Sequence, residues 1–256
     1  MTVRKIFSDE QLVEVTGAGY EPQGEFRRNG SPVEPSAALV ETLRASVLAS
    51  DAELVRSESG DEWQVRGDPT EAALIVAAAK AGLHRPDLLA EFPRVDEIPF
   101  TSEAKRMTTV YETPNGSVAY AKGAPEVVVQ ACTRQLTASG ETALDEAGRE
   151  ALLETARQLA SEALRVLAVA GRRGATIDDA GRELTFLGLV GMIDAPPAGG
   201  EGGRSDLRGG RDPAGDDHRR PSAHGRGGRA RDRAARRRAR GHRLRARVDG
   251  RGRAGS

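Results

Sequence analysis

Five side chains in this 256-residue sequence are of types suited to holding a ligand: Glu71, Phe100, Lys105, Lys122 and Arg165. An ammonium such as that of Lys122 or Lys105 donates to ligand oxygens or ring nitrogens. A carboxylate such as Glu71 accepts from an amine, and the Arg165 guanidinium offers a fork that matches phosphate oxygens. The flat ring of Phe100 has a polarisable face on which a base can stack. Each residue also has an ordinary reading. Phe100 is one of five phenylalanines and could belong to the core; Arg165 could form a surface ion pair; Lys105 and Lys122 could be solvated charges. Glu71 stands three residues after Asp68, where a glutamate completes a capping box without any ligand. Lysine is scarce in the chain, with Lys5 and Lys80 the only others, and Lys80 reads as an inert surface position on a helix. Catalytic sets of other kinds are missing. Cys132 is the single cysteine, and His84, His218, His224 and His242 have no partners at metal-ligand spacing. No string resembles a Walker-type phosphate loop or a serine-nucleophile elbow.

The elements that must position these residues follow from local signals. Residues 2–7 pair as a strand, and 15–26 (VTGAGYEPQGEF) form a loop with short extended pieces. A helix is expected over 35–54, with Pro35 in its first turn and Leu39, Leu43, Val47 and Leu54 at helical spacing. Residues 63–65 form a short strand. Asp68, Pro69 and Glu71 supply a cap, a first-turn proline and an acidic N3 for a helix over 72–81, which Gly82 stops. Residues 106–111 and 117–122 alternate about Thr113-Pro114-Asn115-Gly116 as a hairpin. A helix runs from 125 through Cys132, a longer one covers 144–164, and buried strands occupy 165–170 and 184–193. The class is α/β or α+β, with a mainly antiparallel sheet flanked by helices. No internal repeat is visible.

Charge divides the chain in two. It carries 38 basic and 38 acidic residues, yet residues 198–256 hold 18 arginines, no lysine and 7 acids. That tail is +11 and the remainder −11. The tail also lacks Phe, Tyr, Trp, Ile and Met, so it cannot bury enough apolar surface to offset chain entropy and is expected to be disordered. The division is therefore 1–194 as one folded domain and 195–256 as an Arg/Gly-rich tail. No apolar signal core or membrane-length run is present, which points to a cytoplasmic location without membrane contact.

Several strings occur in one order: GDPTE at 67–71, PFTSEAKRM at 99–107, KGAPE at 122–126, LRVLA at 164–168 and LTFLGLVGMID at 184–194. Together they resemble the nucleotide-binding domain of P-type cation-transporting ATPases, of the type that includes calcium pumps and related bacterial pumps. The resemblance covers residues 1–194. It implies that domain's fold and an ATP site in which Phe100 stacks on adenine. Lys122 then lies at the mouth of the adenosine pocket, Lys105 is a second basic contact, Glu71 sits near the adenine amino group and Arg165 reaches the phosphates. Ser102 stands where animal calcium pumps carry a further arginine, which implies weaker hold on the triphosphate. In whole pumps the ligand is Mg-ATP and the partner is the remainder of the pump.

The family phosphorylates an aspartate in Asp-Lys-Thr-Gly-Thr, a string missing from this sequence. The expectation is a fragment that begins just after that motif, binds nucleotide and does not turn it over or transport alone. Read one base later, codons for Pro197–Glu201 (PAGGE) permit Arg-Pro-Glu-Val-Lys. Those for Gly209–Gly225 permit Ala-Ala-Gly-Ile-Arg-Pro-Val-Met-Ile-Thr-Gly-Asp-His-Pro-Leu-Thr-Ala. Both resemble strings of the phosphorylation domain, so the tail is expected to be an out-of-frame translation. Two alternatives accompany this reading: non-specific nucleic-acid binding through the arginines, and an inert gene remnant.

Overall fold

The computed structural model describes residues 1–57, 60 and 62–194. The expectations for 195–256 (disorder, reading frame, nucleic-acid contact) lie outside the described residues. Strands β1 (Thr2–Ser8), β2 (Gln11–Val15), β3 (Phe26–Arg28) and β4 (Ser31–Pro32) form an antiparallel meander. Helix α1 (Ala37–Leu48) precedes a separate hairpin of β5 (Glu53–Arg56) and β6 (Trp63–Arg66). Helices α2 (Pro69–Lys80) and α3 (Arg85–Glu91) lead into β7 (Arg94–Ile98), β8 (Arg106–Thr113) and β9 (Gly116–Gly123). Then come α4 (Pro125–Gln130), β10 (Cys132–Thr137), β11 (Gly140–Ala143), α5 (Glu146–Ser161), β12 (Arg165–Arg173) and β13 (Leu184–Ile193).

The main sheet runs β4-β3-β2-β1-β13-β12-β9-β8-β7, with β10 and β11 attached at β13. Every pairing is antiparallel except β10 with β13. The α/β class and the mainly antiparallel sheet are thus as the sequence predicts. Side-chain alternation splits the core between the two faces. Ile6, Tyr120, Val169 and Val190 pack with α1, α2 and α3, while Ala121, Ala168, Ala170 and Leu189 pack with α4 and α5. Strand β13 is covered on both faces, which explains its unbroken apolar run. At Gly188 a Cβ would stand 2.7 Å from the Phe7 carbonyl and from Thr42, so glycine lets α1 approach the sheet. There the Thr42 hydroxyl donates to the Leu187 carbonyl at 2.9 Å.

Helix α1 is shorter than the spacing predicts. Ser36 caps it, placing Pro35 outside the first turn, and it ends at Leu48, with Leu54 in β5. The terminating contacts come from the sheet. Tyr111 and Thr109 hydroxyls donate to the Leu48 carbonyl and the Lys122 ammonium donates to that of Ala49. The helix has no basic residue in its own last turn, so Lys122 supplies the cation that its dipole favours. The α4 helix likewise stops at Gln130, and Cys132 opens β10. Short α3 and strands β7, β10 and β11 carry no clear apolar period and escape the sequence reading; β7 is largely exposed at the sheet edge.

Lys80 is not an inert surface residue. Its ammonium donates to the Thr16 carbonyl at 2.6 Å, and the Arg4 guanidinium donates to that of Gly17 at 3.2 Å. Burial, with Arg4 nearby, holds the Lys80 ammonium below its ordinary value. These two cations pin the start of the 16–25 loop. Lys80→Met is expected to lower stability by about 1.5–3 kcal/mol, the worth of a charge-assisted hydrogen bond. Urea denaturation reads the loss; a change under about 0.3 kcal/mol would show the loop to be held by other contacts.

Candidate functional site

The cap of α2 forms as its sequence predicts: the Asp68 carboxylate accepts from the backbone of Thr70 at 2.7 Å and of Glu71 at 3.3 Å. Burial pushes the Asp68 carboxyl up, but these hydrogen bonds and the Lys122 charge outweigh it and hold the group below its ordinary value. The reciprocal half of a capping box is not made. Glu71 turns away from the cap, and its Oε2 accepts from the backbone N–H groups of Asp51 at 2.8 Å and Ala52 at 3.0 Å. Its Oε1 accepts from the Lys122 ammonium at 2.6 Å. A carboxylate has about four acceptor positions, so three bonds leave one lone pair on Oε1.

Lys122 lies inside the molecule at 6% exposure, on β9 between Met107 of β8 and Val169 of β12. Besides Glu71 and the Ala49 carbonyl, its Nζ meets the Met107 sulfur at 3.5 Å. Burial depresses its basicity, and Glu71 offsets part of that depression. The solvated-charge reading of Lys122 is therefore wrong. It is a buried cation paired with a partly buried anion at the end of α1.

Phe100 occupies the connection between β7 and β8 and is 59% exposed, which excludes the core-phenylalanine reading. The same connection makes a tight turn. The Lys105 N–H donates to the Thr101 carbonyl at 2.8 Å, and Lys105 itself sits in the left-handed region at φ 47°. Its carbonyl then accepts from the Ala124 N–H at 3.0 Å, tying this turn to the end of β9. A Cβ on Gly123 would stand 2.3 Å from that carbonyl, so KGAPE needs its glycine for the turn to dock. The Lys105 side chain is exposed and pairs with Glu126 at 3.5 Å.

Arg165 is exposed at the start of β12 and has no ion-pair partner among the described residues. Its strand neighbour Ala168 pairs with Gly123, so Arg165 lies toward the same end of the sheet, about 10 Å along the strand at ordinary rise. Of the five candidates, only Glu71 and Lys122 are hydrogen-bonded to each other among the described residues. Phe100 and Lys105 share the turn that docks on β9, and Arg165 stands apart. Sequence reasoning did not find the partners of this pair: the Ala49 carbonyl, the Asp51 and Ala52 N–H groups and Met107. Among the described residues, no cluster of three His, Cys, Asp or Glu side chains could hold a metal ion. Cys132 is buried, donates to the Val128 carbonyl and is pushed up to about 12 by burial, which makes it unreactive.

A family model described as P-type ATPase, cytoplasmic domain N, matches residues 38–199. The chain belongs to this N-domain family. Relatives of the N domain agree. A cation-transporting ATPase, pma1, of Synechocystis is 37% identical over 209 residues, covering 77% of this chain and 22% of the relative. The probable cation-transporting ATPase F of Mycobacterium tuberculosis is 38% identical over 207 residues, with the same coverage. A calcium-transporting ATPase of Bacillus subtilis is 36% identical over 205 residues, covering 77% of this chain and 23% of the relative. The chain thus spans about a fifth of the length of these relatives. No described helix is long and apolar enough to cross a membrane.

Proposed function

We propose that the N domain, residues 1–194, binds an adenine nucleotide, ATP in the first place, at the end of the sheet where the buried Glu71–Lys122 pair lies. The observation that carries this reading is that pair together with the exposed ring on the adjoining turn. The Phe100 ring stacks on the base. The spare lone pair of Glu71 Oε1 accepts from the adenine amino group, while Lys122, whose three N–H groups go to Glu71, the Ala49 carbonyl and the Met107 sulfur, fixes the carboxylate in place. Lys105 and Arg165, both exposed cations, neutralise the phosphates, and any magnesium ion arrives with them as Mg-ATP. The relatives' names extend the proposal to its setting, a cation-transporting pump whose other parts act on the nucleotide held here.

Most contacts in this reading fall on the adenosine end, and Ser102 adds no charge near the phosphates. ATP and ADP are therefore expected to bind the full chain within about tenfold of each other, roughly 1.4 kcal/mol. Calorimetric or NMR titration of both nucleotides gives the ratio. A hundredfold preference for ATP would show a phosphate site that these residues do not supply, and no binding of either at millimolar concentration would remove the proposal.

A further inference from the structure

A cavity of about 540 Å³ lies between the β5–β6 hairpin and helices α2 and α3. Leu54, Trp63, Ile75, Leu83 and Leu89 make its wall apolar, and its volume is in the range that holds one small molecule. Three ionisable side chains line it as well: Glu53, His84 and Arg85. Arg85 is the unusual one. Its Nε is buried without a hydrogen-bond partner, and its Nη2 has only the Ser50 carbonyl at 3.2 Å. It forms no ion pair among the described residues. A guanidinium left without an anion beside an apolar chamber is costly in isolation and suits an amphiphile with an anionic head. Glu53 is exposed and disfavours a headgroup on its own side, which leaves the Arg85 side for the anion.

We infer that this cavity binds a medium-chain alkyl carboxylate, its tail against Leu54, Ile75 and Leu83 and its carboxylate on the Arg85 guanidinium. The site is independent of the nucleotide reading, although both lean on α2: Ile75 and Ala79 lie one and two turns beyond Glu71.

Trp63 is the one tryptophan of the chain and lines this cavity; it also borders a pocket beside Tyr20 and Arg56, so the Ala79 variant below, which alters only the cavity, assigns the change in emission. Decanoate, kept below its micelle concentration, is titrated into the full chain and compared with decanol. The expected result is a saturable change in Trp63 emission, with decanoate bound about tenfold or more tightly than decanol. Arg85→Gln should bring decanoate to the decanol level while leaving decanol unchanged, which also shows that the variant keeps its cavity. Ala79→Leu, which adds bulk to the wall, should weaken both. Equal binding of the two amphiphiles by the unaltered chain, or no saturable change with decanoate, would overturn the inference. So would decanoate affinity unchanged in Arg85→Gln.

Discussion

Glu71→Ala is expected to lower the stability of the domain by about 3–5 kcal/mol at neutral pH, the usual cost of leaving one partner of a buried ion pair alone. The loss has two parts. The Lys122 ammonium would stay at 6% exposure with only the Ala49 carbonyl and the Met107 sulfur, and the Asp51 and Ala52 N–H groups would lose their acceptor. The deficit should shrink as pH rises. Burial already holds Lys122 below its ordinary value of 10.5, with Glu71 opposing the shift. Between the folded value and 10.5 the unfolded chain binds a proton that the folded chain does not, so stability rises with pH there. It is lost again as pH falls through the folded value. Removing Glu71 lowers that value further, and the variant begins its recovery at a lower pH than the unaltered chain. Urea midpoints at pH 7 and pH 10 measure both effects. A loss below 1 kcal/mol at pH 7, or a deficit that grows with pH, would contradict a charged, buried pair.

Phe100→Ala is expected to weaken ATP binding by about 1–3 kcal/mol, the usual worth of a base–aromatic stack. Stability should change by less than about 0.5 kcal/mol, since the ring is exposed. That separation is what distinguishes a ligand residue from a core residue. Lys122→Met should also weaken binding, by roughly 1.5–3 kcal/mol, because the charge-assisted hydrogen bond that fixes Glu71 is lost. It leaves Glu71 buried without its cation and removes the cation at the end of α1, so binding and stability fall together. Phe100 is therefore the more informative position, and isothermal calorimetry with parallel denaturation curves tests it. Unchanged affinity in Phe100→Ala would remove the ring from the site.

Local signals made much of this fold legible. The cap and proline of α2 are written in four consecutive residues, and the β8–β9 hairpin in the alternation on either side of Thr113-Pro114-Asn115-Gly116. Strands β12 and β13 announce themselves as apolar runs. What local patterns cannot carry is a contact across the chain. The end of α1 is decided by Thr109, Tyr111 and Lys122, which lie 61 to 73 residues from the carbonyls they take. Helical spacing alone therefore extends the helix to Leu54. Glu71 shows the same limit: its position in sequence fits a capping box, but N–H groups 19 and 20 residues back claim its oxygen instead. For Lys80 the sequence showed a polar residue on a helix; the loop carbonyl it holds lies 64 residues away. At the site, residue types and strings identified the candidates. Their burial could not be read, and it inverted two ordinary readings, turning Lys122 inward and Phe100 outward.

The most direct measurement is a titration of the isotopically labelled full chain with ATP, followed by NMR through millimolar concentration. Saturable shifts are expected, concentrated at Glu71, Phe100, Lys105 and Lys122, with a smaller response at Arg165, and with affinity reduced at the same resonances in Phe100→Ala. If saturating ATP moves no resonance near Phe100 and Lys122, or if the shifts gather elsewhere on the sheet, the nucleotide site is not where the buried pair and the exposed ring meet.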